Sequence, residues 1–247
     1  LEQAIAKVRE LRPDVVTLDV EMARCTGLEA LRQIMKSNPL PVLMVSSLTQ
    51  AGTQATVEAL QLGAVDVVAK PAGGPAELAR VRDEILAKIR EVRGAHLEPT
   101  AKQEPTRCVS HRAVLDTDKV VLTPPSTGGP RGATELFKGL PQGFPCPIVL
   151  VQHMPAGFTV SLADRLSRVG PVPCREARDG EFLVPGTALI APGGKHLILD
   201  KRGHLRFTEG PTLHGVRPCA DHLFMSAAAS LGPRCVGLTC PLRLHPP

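Results

Sequence analysis

Val120-Val121-Leu122-Thr123-Pro124-Pro125-Ser126-Thr127-Gly128-Gly129-Pro130 joins a short apolar run to a serine, two glycines and a proline. The run predicts a strand, and the proline predicts the first turn of a helix over about Pro130 to Leu140, because its missing N–H has no partner there anyway. Gly128 and Gly129 leave backbone N–H groups bare at the helix N-terminus, where an anion or a developing oxyanion is stabilised. The next apolar run, Pro147-Ile148-Val149-Leu150-Val151-Gln152, ends at His153. If both runs are parallel strands joined by the helix, their carboxyl ends share one edge of the sheet, where α/β sites form. Ser126 and His153 then face one crevice, as a nucleophile and its base require. The same segment is also an ordinary capped strand-to-helix turn, and the G-x-S-x-G elbow is absent. These two residues alone therefore leave a structural role open.

The 247 residues suggest one large domain or two of ordinary size, and a 43% hydrophobic share is enough for real cores. No uninterrupted apolar run reaches the roughly 18 residues of a membrane span. No charged-then-apolar leader opens the sequence, so secretion is not expected. The seven cysteines form no C-x-x-C pair, which suggests reduced thiols and a cytoplasmic protein. Cys219 with His214 and His222 is the nearest approach to a metal cluster, but no second ligand pair follows at finger spacing. The net charge of +5 is spread along the chain, and there is no Trp or Tyr. A single-strand nucleic-acid binder needs stacking aromatics, so no nucleic-acid partner is expected. The basic balance suits solvated faces and an acidic protein partner.

Leu1, Ala4, Ile5, Val8 and Leu11 recur at helical spacing without a start signal. Three strand–helix units follow: Val15 to Leu18 with Gly27 to Asn38, Val42 to Val45 with Thr53 to Leu62, and Val65 to Ala69 with Pro75 to Val92. This alternation predicts a doubly wound parallel sheet. Asp19 closes the first strand, Ser46 the second and Lys70 the third. A carboxylate that can accept a phosphoryl group, a hydroxyl that can bond it and an ammonium that can neutralise it thus converge on one edge.

Leu18-Asp19-Val20-Glu21-Met22, Met44-Val45-Ser46-Ser47 and Ala69-Lys70-Pro71 resemble the receiver domain of two-component response regulators. Leu28-Glu29-Ala30-Leu31-Arg32-Gln33-Ile34-Met35 and Val45-Ser46-Ser47-Leu48-Thr49 resemble one subgroup, the chemotaxis protein-glutamate methylesterases (CheB). The resemblance implies phosphorylation of Asp19, with Ser46 and Lys70 in support and Mg²⁺ held beside it by Asp19 and Glu21. It also makes Lys70-Pro71 a candidate cis bond. The family's first strand, which ends in further acidic metal ligands and sits mid-sheet in the order 2-1-3-4-5, does not occur here. The strand from Val15 to Leu18 is then left as an open edge.

From Arg93 to Arg112 polar residues with two prolines and no apolar rhythm predict a linker. The expected division is a receiver domain at 1–92, a linker at 93–112 and a methylesterase catalytic domain at 113–247. Beyond the linker the resemblance continues through Ser126-Thr127-Gly128-Gly129-Pro130 and Val151-Gln152-His153-Met154-Pro155-Ala156-Gly157-Phe158. It extends through Pro185 to Leu197 and Gly210-Pro211 to His214-Gly215-Val216-Arg217-Pro218. In the family, Ser126 and His153 correspond to the serine and histidine of a Ser–His–Asp triad, and Thr127, Gly128 and Gly129 lie in the nucleophile and oxyanion loop. The loop that carries the triad aspartate has no counterpart, since no Asp or Glu follows Asp221. Read from the residues, Ile198 to Asp200 and His204 to Thr208 form a hairpin around Lys201-Arg202-Gly203. Ala220, Leu223, Phe224, Ala227, Ala228 and Leu231 stripe a helix with Asp221 near its start as cap or dipole partner. Cys235 to Thr239 is expected as a buried strand, and His196, His204 and His214 as surface or loop residues.

The expected fold is therefore α/β: a truncated doubly wound receiver, then an α/β domain with a parallel sheet and a β-hairpin. The resemblance implies a cytoplasmic hydrolase that removes methyl esters from glutamates of methyl-accepting chemotaxis receptors, with deamidation of receptor glutamines in some members. A chemotaxis histidine kinase would phosphorylate the receiver, no cofactor is needed for ester hydrolysis, and no membrane insertion is expected. The alternative is a two-component signalling or interaction module without catalysis.

Overall fold

The structure, a computed structural model, describes residues 2–22, 26–47, 49–71, 73–92, 118–124, 129–213 and 216–238. Contacts divide the chain into two compact units, whose described residues lie within 2–92 and 118–238.

The first unit opens with α1 (Glu2–Leu11), which buries Ile5 and Val8. Strands β1 (Val16–Asp19), β2 (Val42–Ser46) and β3 (Asp66–Ala69) form a parallel sheet in that order, and α2 (Gly27–Ser37), α3 (Gln50–Leu62) and α4 (Pro75–Val92) alternate with them. The boundaries of α2 and α3 have local causes. Thr26 and Glu29 make a reciprocal capping box on α2, with Glu29 N donating to Thr26 Oγ1 at 3.3 Å and Thr26 N to Glu29 Oε2 at 3.1 Å. Thr49 caps α3 through Gly52 N at 3.0 Å, and Gly63 ends it at φ 115°. The apolar stripe of α4 packs Val81, Ile85 and Ile89 on Leu43 and Val68 of the sheet. Among the described residues β1 has a strand partner on one side alone, as its open edge in the sequence reading requires.

The second unit is a five-stranded parallel sheet in the order β10-β4-β5-β7-β6. Its elements run β4 (Val120–Thr123), α5 (Gly129–Gly139), β5 (Ile148–Leu150), α6 (Phe158–Val169), β6 (Cys174–Glu176), β7 (Ala188–Ile190), the antiparallel hairpin of β8 (His196–Leu199) and β9 (Leu205–Thr208), α7 (Ala220–Leu231) and β10 (Cys235–Gly237). One sheet face carries Leu122, Val149, Val151, Leu189 and Ala191 against Leu197, Leu199 and Leu205 of the hairpin and Leu223 and Ala227 of α7. Strand alternation turns Thr123, Leu150 and Ile190 to the other face. Helices α5 and α6 supply the buried Phe137, Phe158, Leu162 and Leu166.

Two expectations are corrected here. The strand from Cys235 is not buried: Val236 is 42% exposed, and among the described residues β10 pairs with β4 alone, at the sheet edge. Lys70–Pro71 is not cis, whereas among the described residues Arg217–Pro218 is, and a trans Lys70–Pro71 still delivers the lysine to Asp19.

Candidate functional site

In the first unit the parallel register sets Asp19 beside Val45 and Ser46 beside Ala69, so Asp19, Ser46 and Lys70 leave one edge of the sheet. The structure brings Asp19 and Lys70 together. Lys70 Nζ donates to Asp19 Oδ2 at 2.7 Å, and Glu21 N donates to Asp19 Oδ1 at 3.0 Å. Burial pushes the Asp19 carboxyl up, but the Lys70 hydrogen bond, the Glu21 amide, the lysine charge and the Val20 amide together hold it below its ordinary value. Both side chains remain about one third exposed, at 37% and 35%, so the pair is reachable from solvent.

Ser46 reaches the same edge, but it is fully buried and its hydroxyl is shared between Gly52 O at 3.2 Å and Ser47 O at 3.3 Å. The first turn of α3 lies over the strand end and takes the hydroxyl that the sequence reading turned toward Asp19. Ser47 instead donates to Glu21 Oε1 at 3.1 Å, and Thr49 approaches the same oxygen at 3.5 Å. Sequence reasoning stopped at the first serine and missed this pair; a hydroxyl run directly after a strand was the available signal. Among the described residues, no group of three or more His, Cys, Asp or Glu side chains is placed to hold a metal ion. Asp19 and Glu21 are already engaged by Lys70 and Ser47, and Mg²⁺ prefers an octahedral shell of oxygens. The described residues do not assemble a Mg²⁺ cage.

In the second unit β4 and β5 are adjacent and parallel, with Thr123 paired to Leu150, so the chain leaves both at one edge. Ser126, Thr127 and Gly128 lie outside the described residues. Gly129 begins α5 and is buried together with Pro130. His153 is half-buried, three residues beyond β5, and its neighbour Gln152 is 5% exposed. Gln152 Nε2 makes a long contact of 3.5 Å to His153 O. Among the described residues, Thr123 Oγ1 and Gln152 Oε1 are buried without a hydrogen-bond partner, on neighbouring strand ends.

Behind His153 the chain runs through Met154, Pro155 and Ala156 to α6. The turn after β7 crosses this segment closely: a Cβ on Gly193 would stand 2.5 Å from Ala156 N and Pro155 C and 2.6 Å from Met154 O. Thr159 Oγ1 accepts from Gly193 N at 3.4 Å and donates to Glu176 Oε1 at 2.5 Å. Gly194 N donates to Arg217 O at 3.2 Å, and the Arg217 guanidinium bonds the carbonyls of Glu209 and Gly210. Nothing in the local sequence pattern marked Thr159 or Glu176, and Gly193 was noted only as part of the Pro185 to Leu197 stretch.

His196 is another correction. It is fully buried on β8, with Nε2 at 3.0 Å from Pro211 O and Nδ1 accepting from Cys219 N at 3.1 Å. These two bonds fix the neutral Nε2–H tautomer. Burial lowers its pKa, the Pro211 carbonyl opposes this, and His222 and Arg217 lower it further. The His196 and His222 rings stand 4.1 Å apart. His204 is half-buried beside Asp200 at 3.3 Å, and His214 lies outside the described residues. Asp221 stands in the first turn of α7, where its charge meets the helix dipole, while the N-cap position belongs to Cys219.

Residues 1–82 match the family model of the response regulator receiver domain, and residues 121–239 match that of the CheB methylesterase. Fold and sites thus define a response regulator of the receiver-plus-effector class. A protein named protein-glutamate methylesterase/protein-glutamine glutaminase from Geobacillus kaustophilus is 46% identical over 235 residues, 92% of this chain and 67% of that protein. One of the same name from Pyrococcus abyssi is 40% identical over 254 residues, 96% of this chain and 67% of that protein. The chain belongs to the protein-glutamate methylesterase (CheB) family, and it spans about two thirds of the length of these relatives. Among solved structures, the Thermotoga maritima CheB methylesterase catalytic domain is 40% identical with a TM-score of 0.46, covering 49% of this chain and 66% of that one. The response regulator domain of Thermotoga maritima CheB is 45% identical with a TM-score of 0.35, covering 39% of this chain and 72% of that one. Among the described residues no helix is long and apolar enough to cross a membrane.

Proposed function

We propose that this chain hydrolyses γ-methyl esters of glutamate residues on methyl-accepting chemotaxis receptors, and also deamidates receptor glutamines, under control of phosphorylation at Asp19. The observation that carries this reading is the parallel pairing of β4 and β5 in a chain of this family, in which Thr123 and Leu150 end side by side and His153 follows the second strand. Ser126 is the nucleophile. His153 takes the hydroxyl proton as the oxygen attacks the ester carbonyl carbon, and amides of Thr127, Gly128 and Gly129 receive the oxyanion. The C–OCH₃ bond breaks, His153 returns the proton to the leaving oxygen, and methanol departs. Water activated by His153 then opens the acyl-enzyme to a glutamate carboxylate and free Ser126. A glutamine substrate follows the same path with ammonia as the leaving group. This chemistry needs no cofactor.

A chemotaxis histidine kinase is the proposed phosphoryl source for Asp19. Supporting this is the solvent-reachable Asp19–Lys70 pair, in which the lysine stands ready to neutralise added charge. Mg²⁺ at this acceptor would need ligands beyond Asp19 and Glu21. The test is methanol release from receptor membranes carrying labelled methyl esters. Release by this chain and its loss in Ser126→Ala is the expected result; retained release in that variant sinks the assignment. No release by the unaltered chain turns the reading to a signalling module without catalysis.

A further inference from the structure

We propose that Thr159, acting with Glu176, is a positioning residue for His153. Its hydroxyl fixes the Gly193 turn on which the His153 loop lies, and the catalytic consequence rests on the ester-hydrolysis reading above. Three elements meet at this one hydroxyl. Thr159 stands in the first turn of α6, Glu176 closes β6, and Gly193 follows β7. Thr159 is fully buried, while Glu176 is half-buried at the strand end. The hydroxyl donates its proton to Glu176 Oε1 and accepts the Gly193 amide, so both of its capacities are used.

The path from that hydroxyl to His153 is short. Gly193 lies against the backbone of Met154, Pro155 and Ala156, so closely that no side chain fits between them. Met154, next to His153, is 1% exposed, and Phe158 N donates to Pro155 O at 3.3 Å as the segment turns into α6. A shift of the Gly193 turn therefore passes to the backbone that aims His153, because a close-packed crossing transmits displacement rather than absorbing it. Valine has nearly the volume of threonine but neither donates nor accepts. Thr159→Val leaves the buried Gly193 N–H without an acceptor and removes a donor from Glu176. Serine keeps both bonds. A base displaced by a fraction of an ångström loses its alignment with the attacking oxygen without losing substrate binding.

The experiment titrates the His153 imidazole by NMR in the unaltered chain, Thr159→Val, Thr159→Ser and Leu166→Val, with the resonance assigned through His153→Gln. Methanol release is measured in parallel. Leu166 is buried further along α6 and controls for a general loss of stability. Thr159→Val is expected to move the His153 midpoint by about 0.5 unit or more and to cut the turnover number about tenfold or more with KM unchanged. Thr159→Ser restores both, and Leu166→Val lowers the melting temperature while leaving His153 in place. An unmoved midpoint in Thr159→Val overturns the positioning role whatever the turnover does, as does failure of serine to restore it. A moved midpoint in a chain that releases no methanol supports the positioning role and overturns the ester-hydrolysis reading. If Thr159→Val does not fold, Glu176→Met removes the acceptor at a half-exposed site and carries the same expectations.

Discussion

The carboxyl edges of the two sheets are built by opposite means. In the first unit an ion pair about one third exposed, Asp19 with Lys70, stands at the strand ends, held by charge and by two backbone amides. In the second unit the backbone that follows His153 is set by packing: a glycine crossing, a buried threonine, and Arg217 bonded to the carbonyls of its own loop. A group that must receive charge from a partner has to remain in reach of solvent. A base that must hold one direction is better served by dense backbone contacts, which do not weaken with salt.

The sharpest way to break this contrast is to remove a buried charge from the first unit. Lys88 of α4, 6% exposed, binds Asp66 at 2.9 Å and Val67 O at 2.8 Å, with Glu84 at 3.8 Å. Lys88→Ala leaves those groups uncompensated and should cost about 3–5 kcal/mol. Calorimetry should show one transition lowered and the other in place; two transitions moving together would defeat the picture of separate units. Next in size is Gly193→Ala. Its Cβ meets three backbone atoms of the Met154–Ala156 segment, so a loss of about 1–3 kcal/mol in the second unit is expected, with methanol release falling alongside. Gly194→Ala, where the strain is a positive φ of 82° and open space surrounds the new Cβ, should cost roughly 1 kcal/mol and spare the His153 loop.

Two pH experiments sharpen the comparison further. His196 is neutral when folded, with its pKa below 6.5, so between 6.5 and its folded value the unfolded chain binds more protons. Stability of the second unit should therefore fall as pH drops below 6.5, and the fall should shrink in His196→Gln. An equal fall in that variant would remove His196 as the cause. Asp19 runs the other way in charge, though not in direction. Its folded pKa lies below 3.8, so its contribution is complete above 3.8 and is lost as pH falls through the folded value. Because both partners are about one third exposed, the effect should be only a few tenths of a kcal/mol, and smaller in Lys70→Met, where the Glu21 and Val20 amides remain.

The elements with strong periodicity were legible from the residues alone. The apolar runs at Val42 and Val120, the stripe of α4 and the hairpin around Gly203 all formed where the pattern put them. The three-residue strands β6 and β7 carry too little pattern to be seen by alternation. At the sites, Asp19 and Lys70 were legible because each follows a strand, and parallel pairing does the rest. Ser46 was misdirected because rotamer and helix cover, not position, decide where a hydroxyl points. His196 looked like a loop residue because its partners, Pro211 and Cys219, are 15 and 23 positions away. Thr159 and Glu176 were invisible for the same reason, since one hydrogen bond across 17 positions leaves no periodic trace.

The pairing of β10 with β4 has a consequence for biosynthesis. Cys235 lies beside Val120, and the positions between them include all the other strands of that sheet. Its partner emerges about 115 residues later, which at roughly 5–20 residues per second is on the order of 6 to 23 seconds. During that interval β4 can pair with β5 while its other side waits unoccupied, so the nascent chain carries an exposed strand edge along Val120 to Thr123.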